Sequence, residues 1–369
     1  MKTDRRQFGL LAGAAVFAAA SPALAKSKIP ADSDPLTRGP RDPIMSYEGR
    51  TADMKTADGT LFVRASFPGV VLRINFNGSR LVLKTTASSE NVFLDLSVDG
   101  ASPKVVRLAT GAKDLVVFDG ADGVHSVTIA RRTESWEGQW DIAGATLDKG
   151  RFLPPPALPA KKLMFIGDSI TCGAGTDVTR DDPRQDMAVN DAQKSFGKVL
   201  AATLGTQCHL VSYGGRGVYR DWQGIQAINN APQFYDRAAP DEPGLIWNPA
   251  DYVPDAVGIC LGTNDFNQGI PDQNDFINTY VEFIDKVRRD APRARVVVIN
   301  SPMLTDGDIP KRTVCGAYLD EVVRRASSPL VVRAQIAHYP GRPSNSHPIA
   351  EEHVAIAAEL EPLFRGALS

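Results

Sequence analysis

The sequence predicts two domains of different class. An all-β sandwich, jelly-roll-like, occupies residues 45–150, and an α/β three-layer domain with a parallel sheet of about five strands occupies residues 162–369. Three observations predict this. Short β-type runs separated by turn pairs fill the first half. A proline-rich stretch, Leu153-Pro154-Pro155-Pro156-Ala157-Leu158-Pro159, stands between the halves. Apolar strands then alternate with helix-period segments to the end of the chain. With 369 residues there is enough chain for two cores.

In the first half the strand-like runs are Leu61–Ala65, Val70–Asn75, Arg80–Thr85, Val92–Val98, Val105–Leu108, Leu115–Phe118 and Val124–Arg131. Asn77-Gly78 is the sharpest hairpin signal, because both residues tolerate positive φ. Asp99-Gly100, Asp119-Gly120 and Asp122-Gly123 read as further turns. Residues 151–161 read as a stiff linker, since proline lacks an amide donor and fixes φ. After it, Leu163–Ile166, Cys208–Tyr213, Ala256–Leu261, Arg295–Asn300 and Leu330–Ala334 read as strands. Ser195–Leu204, Asp275–Arg289 and Pro348–Leu363 read as helices. Alternation of this kind predicts a parallel sheet covered on both faces, with its site at the carboxyl ends of the strands.

Ahead of both domains, Arg5-Arg6 followed by Phe8 and Leu10, a small-residue apolar stretch, and Ala23-Leu24-Ala25 read as a twin-arginine-type signal peptide over residues 1–25. Residues 26–44 read as a loose segment. The expectation is a bacterial periplasmic or secreted protein with no membrane span in the mature chain. Charge excludes another class: 41 Lys+Arg against 43 Asp+Glu, with no basic block, argues against nucleic-acid binding. Four Cys in so long a chain exclude a disulfide-built scaffold. No His-Glu-x-x-His or Cys-x-x-Cys occurs, so no metal or other cofactor is implied.

Three strand ends and one late loop carry residues suited to chemistry. Ser169, in Gly167-Asp168-Ser169, stands on a tight turn that suits a nucleophile; capping of the next helix is the structural alternative. Gly214-Gly215-Arg216-Gly217 lets backbone approach a ligand closely, or simply makes a βα turn. Asn264, in Gly262-Thr263-Asn264-Asp265, can donate to developing negative charge, whereas Asp265 suits an Asx turn. Of five histidines, His347 lies after the fifth strand on the same sheet edge as Ser169, and is the candidate general base. His125 and His209 read as structural, and His353 as a solvated mid-helix residue.

In their order along the chain, Gly167-Asp168-Ser169, the Gly214–Gly217 turn, Gly262-Thr263-Asn264-Asp265 and His347-Pro348 resemble the SGNH (GDSL-type) hydrolase superfamily. With Ile170-Thr171-Cys172-Gly173 following the Ser, and a β domain and Pro-rich linker preceding it, the chain resembles carbohydrate esterase family 2 over about residues 45–365. The resemblance implies Ser169 as nucleophile and His347 as base. Its oxyanion donors would be the Ser169 amide, a glycine amide of the turn (Gly215 preferred) and the Asn264 side chain. The implied substrate is an acetylated polysaccharide or oligosaccharide such as xylan or glucomannan, deacetylated through an acetyl-enzyme. Tyr219, Trp222, Trp247 and Phe266 are candidates to stack on sugar rings.

One departure from the superfamily pattern concerns the histidine. The Asp that members commonly carry two or three residues before it is replaced by Asn345 and Ser344. The expectation is a Ser–His dyad oriented by a backbone carbonyl or by the Asn345 side chain. A carboxylate from Glu351 or Glu352, or a weakened enzyme, are the alternatives. A short-chain or lipid esterase, and a non-catalytic sugar-binding protein, are the competing functions.

Overall fold

The computed structural model describes residues 34–179, 187–227 and 229–369. The signal-peptide reading lies outside these residues. Ten strands build the N-terminal β-rich domain: β1 Thr37–Arg38, β2 Ser46–Glu48, β3 Ala52–Lys55, β4 Leu61–Ala65, β5 Val71–Ala87, β6 Phe93–Val98, β7 Lys104–Arg107, β8 Gly111–Arg131, β9 Trp140–Leu147 and β10 Arg151–Leu153. They pair antiparallel in the order β3-β4-β9-β5-β8-β6-β7, with β1 on β9 and with β2 and β10 on β5. Alternate residues of β5, among them Leu72, Ile74 and Phe76, enter a core shared with Val127, Ile129, Trp140 and Ile142. That is the period of two expected of strands with one face buried.

Several turns read from the sequence are corrected here. Asn77-Gly78 does not reverse the chain; it lies inside the 17-residue strand β5, where the register against β8 shifts between Gly78 and Arg80. Asp119-Gly120 and Asp122-Gly123 likewise fall within the 21-residue strand β8. The glycine at 78 serves close approach of backbone, not reversal: a Cβ there would stand 2.7 Å from the Lys149 carbonyl oxygen. The segment preceding residue 45 is tied down at its end, because β1 pairs with β9 and Leu36 packs on the core. Arg151–Leu153, read as linker, forms an edge strand on β5.

The C-terminal domain has the expected parallel sheet of five strands: β11 Lys162–Gly167, β12 Gln207–Ser212, β13 Ala256–Cys260, β14 Arg295–Ile299 and β15 Val331–Ala334. Their order is β12-β11-β13-β14-β15. The chain moves to one side of β11 and then returns to the other, which opens a crevice at the carboxyl end of β11. Helices are α1 Ser169–Cys172, α2 Phe196–Leu204, α3 Ala231–Phe234, α4 Gln273–Asp290, α5 Lys311–Ala326 and α6 Ala350–Leu368. Leu163 and Phe165 of β11 pack with Phe196, Ile356 and Phe364 of α2 and α6. Met164 and Ile166 face the other way, in the core that holds Phe276, Tyr280 and Leu319 of α4 and α5. Both faces of the central strand are thus covered. Among the described residues no helix is long and apolar enough to cross a membrane.

Buried charge joins the two domains. Arg132, just past β8, is 2% exposed and pairs with Asp95 of its own domain (2.7 Å) and with Asp177 (2.7 Å) and Asp191 (3.0 Å) beyond α1. Glu48 of β2 pairs with Lys198 of α2 at 3.2 Å. Desolvation offsets much of the attraction in such pairs, whereas removing one partner would leave an uncompensated buried charge.

Candidate active site

Strand β11 delivers Ser169 to the crevice. Asp168 has extended backbone, and its Oδ1 accepts the Ile170 amide at 3.0 Å, capping α1. Gly173, at φ 80°, stops the helix after one turn. Gly167 permits this sharp fold, because a Cβ there would meet Thr171 Oγ1 at 2.0 Å. Asp168 itself is fully buried and does not face solvent, and burial pushes its carboxyl up to about 7.

His347 arrives on the loop before α6, which is closed by Gly341 at φ 63° and Ser346 at φ 60°. Its Nε2 lies 2.8 Å from Ser169 Oγ. Its Nδ1 lies 3.0 Å from the Asn345 carbonyl oxygen and 2.7 Å from Asn345 Oδ1. A carbonyl can only accept, so Nδ1 carries the proton and Nε2 presents its lone pair to the serine hydroxyl. Burial lowers the His347 pKa and so favours the neutral ring near pH 7; the Asn345 carbonyl pulls the other way but does not reverse the shift. Glu352 does not reach the imidazole: its carboxylate accepts the Ile349 and Gly341 amides at 2.9 and 3.1 Å. Glu351 is exposed on the first turn of α6.

Behind Asn345 stands Gly175, at φ 70°; a Cβ there would sit 2.7 Å from Asn345 Oδ1. The Gly175 amide donates to Asn190 Oδ1 at 2.9 Å. The Asn345 carboxamide is therefore packed against backbone that is itself hydrogen-bonded.

The turn after β12 forms the second wall. Gly215 takes φ 75°, and its carbonyl accepts the Trp222 amide at 2.9 Å. The Asp265 carboxylate accepts the amides of Val218, Tyr219 and Arg220 at 3.1, 2.8 and 3.1 Å and so shapes the rest of the loop. Asn264, from the end of β13, donates to the Arg216 carbonyl at 2.9 Å. Its other contact, to Asp168 Oδ2, is the longer of the two at 3.3 Å.

Ser169, Gly215, Asn264, Asn345 and His347 all line one cleft of about 690 Å³. Of the four aromatics proposed for stacking, only Trp222, 50% exposed, lines it. Phe266 is fully buried in the core. Trp247 lies beside Arg50 and His209, and Tyr219 turns outward to bond Asp275 at 3.0 Å. Those three readings are corrected: aromatic residues next to motif loops mostly serve loop packing here. His353 is corrected too: it is fully buried, and its Nδ1 accepts the Phe196 amide at 3.0 Å. His125, bonded to Asp99, and His209, which accepts the Gly49 amide at 3.0 Å, are structural.

Sequence reasoning missed Glu134 and Trp136, which reach the cleft from the β-rich domain, and Met187 and Met303 on its walls. The run Glu134-Ser135-Trp136-Glu137 at the end of β8 was the available signal: charged residues beside Trp at a strand end with no turn pair to explain them. Among the described residues no three His, Cys, Asp or Glu side chains are placed to share a metal ion.

A parallel sheet in this order, with Ser169 after its first strand and His347 in the loop before its last helix, defines a GDSL-type hydrolase carrying an additional β-rich domain. Comparison with known proteins agrees. Residues 47–156 match the family described as carbohydrate esterase 2 N-terminal, and residues 165–345 match the GDSL-like lipase/acylhydrolase family. An acetylxylan esterase / glucomannan deacetylase of Cellvibrio japonicus is 34% identical over 326 residues, covering 88% of this chain and 89% of the relative. A solved family two carbohydrate esterase from the same organism superimposes with a TM-score of 0.84 at 33% identity, covering 90% of this chain and 97% of that one. Another, from Clostridium thermocellum in complex with cellohexaose, has a TM-score of 0.79 at 26% identity over 88% and 99% of the two chains. The chain belongs to carbohydrate esterase family 2 and is a carboxylic ester hydrolase.

Proposed function

We propose that this esterase removes O-acetyl groups from an exported-space polysaccharide such as xylan or glucomannan, through an acetylated Ser169. The observation that carries the reading is the 2.8 Å contact between Ser169 Oγ and a neutral His347 Nε2, in a cleft shared with Asn264 and Gly215. His347 takes the hydroxyl proton as Oγ bonds to the acetyl carbon. The carbonyl oxygen becomes an oxyanion held by the amides of Ser169 and Gly215 and the Asn264 side chain. Its collapse breaks the ester bond, and the sugar oxygen leaves with the proton from His347. Water, deprotonated by His347, then attacks the acetyl-enzyme; acetate departs and Ser169 regains its proton. An ester carbonyl lacks amide resonance and its alcohol leaves protonated by His347, so the step asks less of the base than amide cleavage does. Trp222 and Trp136 on the rim supply apolar faces for sugar rings.

Acetate release from acetylated xylan and glucomannan tests this. Ser169→Ala and His347→Ala each lower kcat by at least ~10³-fold. Retention of most activity by Ser169→Ala ends the nucleophile assignment. Ala174, Met187 and Met303 give the cleft apolar wall, which supports a short-chain or lipid ester as second reading. Rates that rise with acyl length would favour it.

The relatives' substrates and the Arg5-Arg6 signal support export; the N-terminal residue of secreted protein tests it. For the architecture, residues 45–150 as a jelly-roll-like sandwich and residues 162–369 as the hydrolase unit remain our reading. The branching of the ten-stranded sheet at β5 and β9 supports the sandwich.

A further inference from the structure

Glu134 is a buried carboxyl with no part in the steps above, yet it borders the cleft. It stands just past β8, in a loop clamped from beneath by Arg131. That fully buried guanidinium donates to the carbonyls of Ala65 (2.8 Å), Thr133 (2.9 Å) and Glu134 (2.6 Å), and to that of Gly138. The Glu134 carboxylate is bonded by the buried Cys172 thiol, and its Oε2 accepts two N–H donors. One is the Gly214 amide, at 2.7 Å, from the turn that carries Gly215. The other is the indole N–H of Trp136, at 3.1 Å, on the cleft rim. The approach to Gly214 is so close that a Cβ there would stand 2.3 Å from Oε2. Gly214 has no positive φ, so this carboxyl, and not backbone conformation, accounts for the glycine.

We infer that Glu134 is a positioning residue through which the β-rich domain fixes both the oxyanion turn and the aromatic wall of the hydrolase cleft. The inference rests on the proposed Ser169 mechanism, since it assigns the Gly214–Gly217 turn to the oxyanion. A hydrolase domain alone would lack this anchor. Displacing the turn by an ångström costs on the order of a hundredfold where donors must meet a developing charge. The oligosaccharide, but not a small aryl ester, also needs Trp136 held in place.

Steady-state kinetics of the full chain test this, with p-nitrophenyl acetate and an acetylated xylo-oligosaccharide as probes. Glu134→Ala lowers kcat on p-nitrophenyl acetate at least fivefold with KM little changed, and raises KM for the oligosaccharide. Glu134→Gln keeps an oxygen where both N–H groups point, so it stays within fivefold of wild type on both. Gly214→Ala pushes the carboxyl away and loses at least fivefold in kcat. A folded Glu134→Ala protein within fivefold of wild type overturns the inference, as does a Glu134→Gln protein as impaired as Glu134→Ala. Should Glu134→Ala not fold, Gly214→Ala within fivefold of wild type overturns it. Ser169→Ala is assayed beside them: if it stays active, the proposed mechanism has failed, whereas an inactive Ser169→Ala with an unaffected Glu134→Ala sinks only this inference.

Discussion

Asn345 offers His347 two acceptors at once: its own carbonyl oxygen at 3.0 Å and its side-chain Oδ1 at 2.7 Å both face Nδ1. In the proposed mechanism this one residue orients the imidazole without a charge, where superfamily members commonly carry an aspartate. The backbone acceptor survives any substitution at this position, and the side-chain acceptor does not.

Asn345→Ala therefore lowers kcat modestly, about three- to tenfold, the effect of one neutral hydrogen bond of roughly 0.5–1.5 kcal/mol. His347→Ala removes the base itself and costs far more. Asn345→Asp places a carboxylate where imidazolium forms and holds or raises kcat. Steady-state rates on an aryl acetate check all three. Equal losses in Asn345→Ala and His347→Ala would make the side chain indispensable.

The same geometry sets the pH profile. Burial lowers the His347 pKa below its ordinary value of 6.5, and among the described residues no carboxylate bonds the ring to raise it. The base is neutral and competent above that lowered pKa and is lost as pH falls through it. The acid limb of kcat/KM thus lies below pH 6.5, and Asn345→Asp moves it upward. A wild-type limb well above pH 6.5 would contradict the neutral-orienter geometry.

How far the sequence carried this depends on distance along the chain. Ser169, the 214–217 turn, Asn264 and His347 were legible because each stands at the end of a strand or start of a helix whose periodicity is plain, and parallel topology gathers such ends. Glu134 and Trp136 were not, because nothing local says that the end of β8 docks against the turn after β12; that contact is set by Arg131, Arg132 and the fit of two domains. The Asn-Gly and Asp-Gly pairs misled for a related reason. They permit reversal but do not compel it, and long strands β5 and β8 use them to absorb register shifts.

Asn264 offers a cleaner test of charge stabilisation than the glycines, because its donor can be removed without changing backbone. In Asn264→Ala the loss of one oxyanion donor lowers kcat about 10²–10³-fold with KM little changed. Part of the loss is positional, since Asn264 also donates to the Arg216 carbonyl at 2.9 Å. Asn264→Asp keeps the shape and replaces donor with acceptor, so it is no better than Ala. Activity of Asn264→Asp near wild type would remove Asn264 from the oxyanion site.

His353 carries a prediction about stability and not catalysis. It is fully buried in α6, accepts the Phe196 amide at 3.0 Å, and burial lowers its pKa to about 3. The unfolded chain takes up this proton near pH 6.5, whereas the folded chain resists until about pH 3. Its contribution to stability is therefore fully present above 6.5 and declines as pH falls, by up to ~1.4 kcal/mol per pH unit. Buried carboxyls such as Asp168, whose pKa is raised, slope the other way, so the wild-type curve alone does not isolate the histidine. The difference between wild type and His353→Gln does. Relative to wild type, His353→Gln is destabilised near pH 7.5, where the Phe196 amide loses its imidazole acceptor, and the gap narrows steadily toward pH 5. Urea midpoints at several pH values measure it, and a gap that stays constant over that range would show that the buried imidazole takes up its proton in the folded state as readily as in the unfolded one.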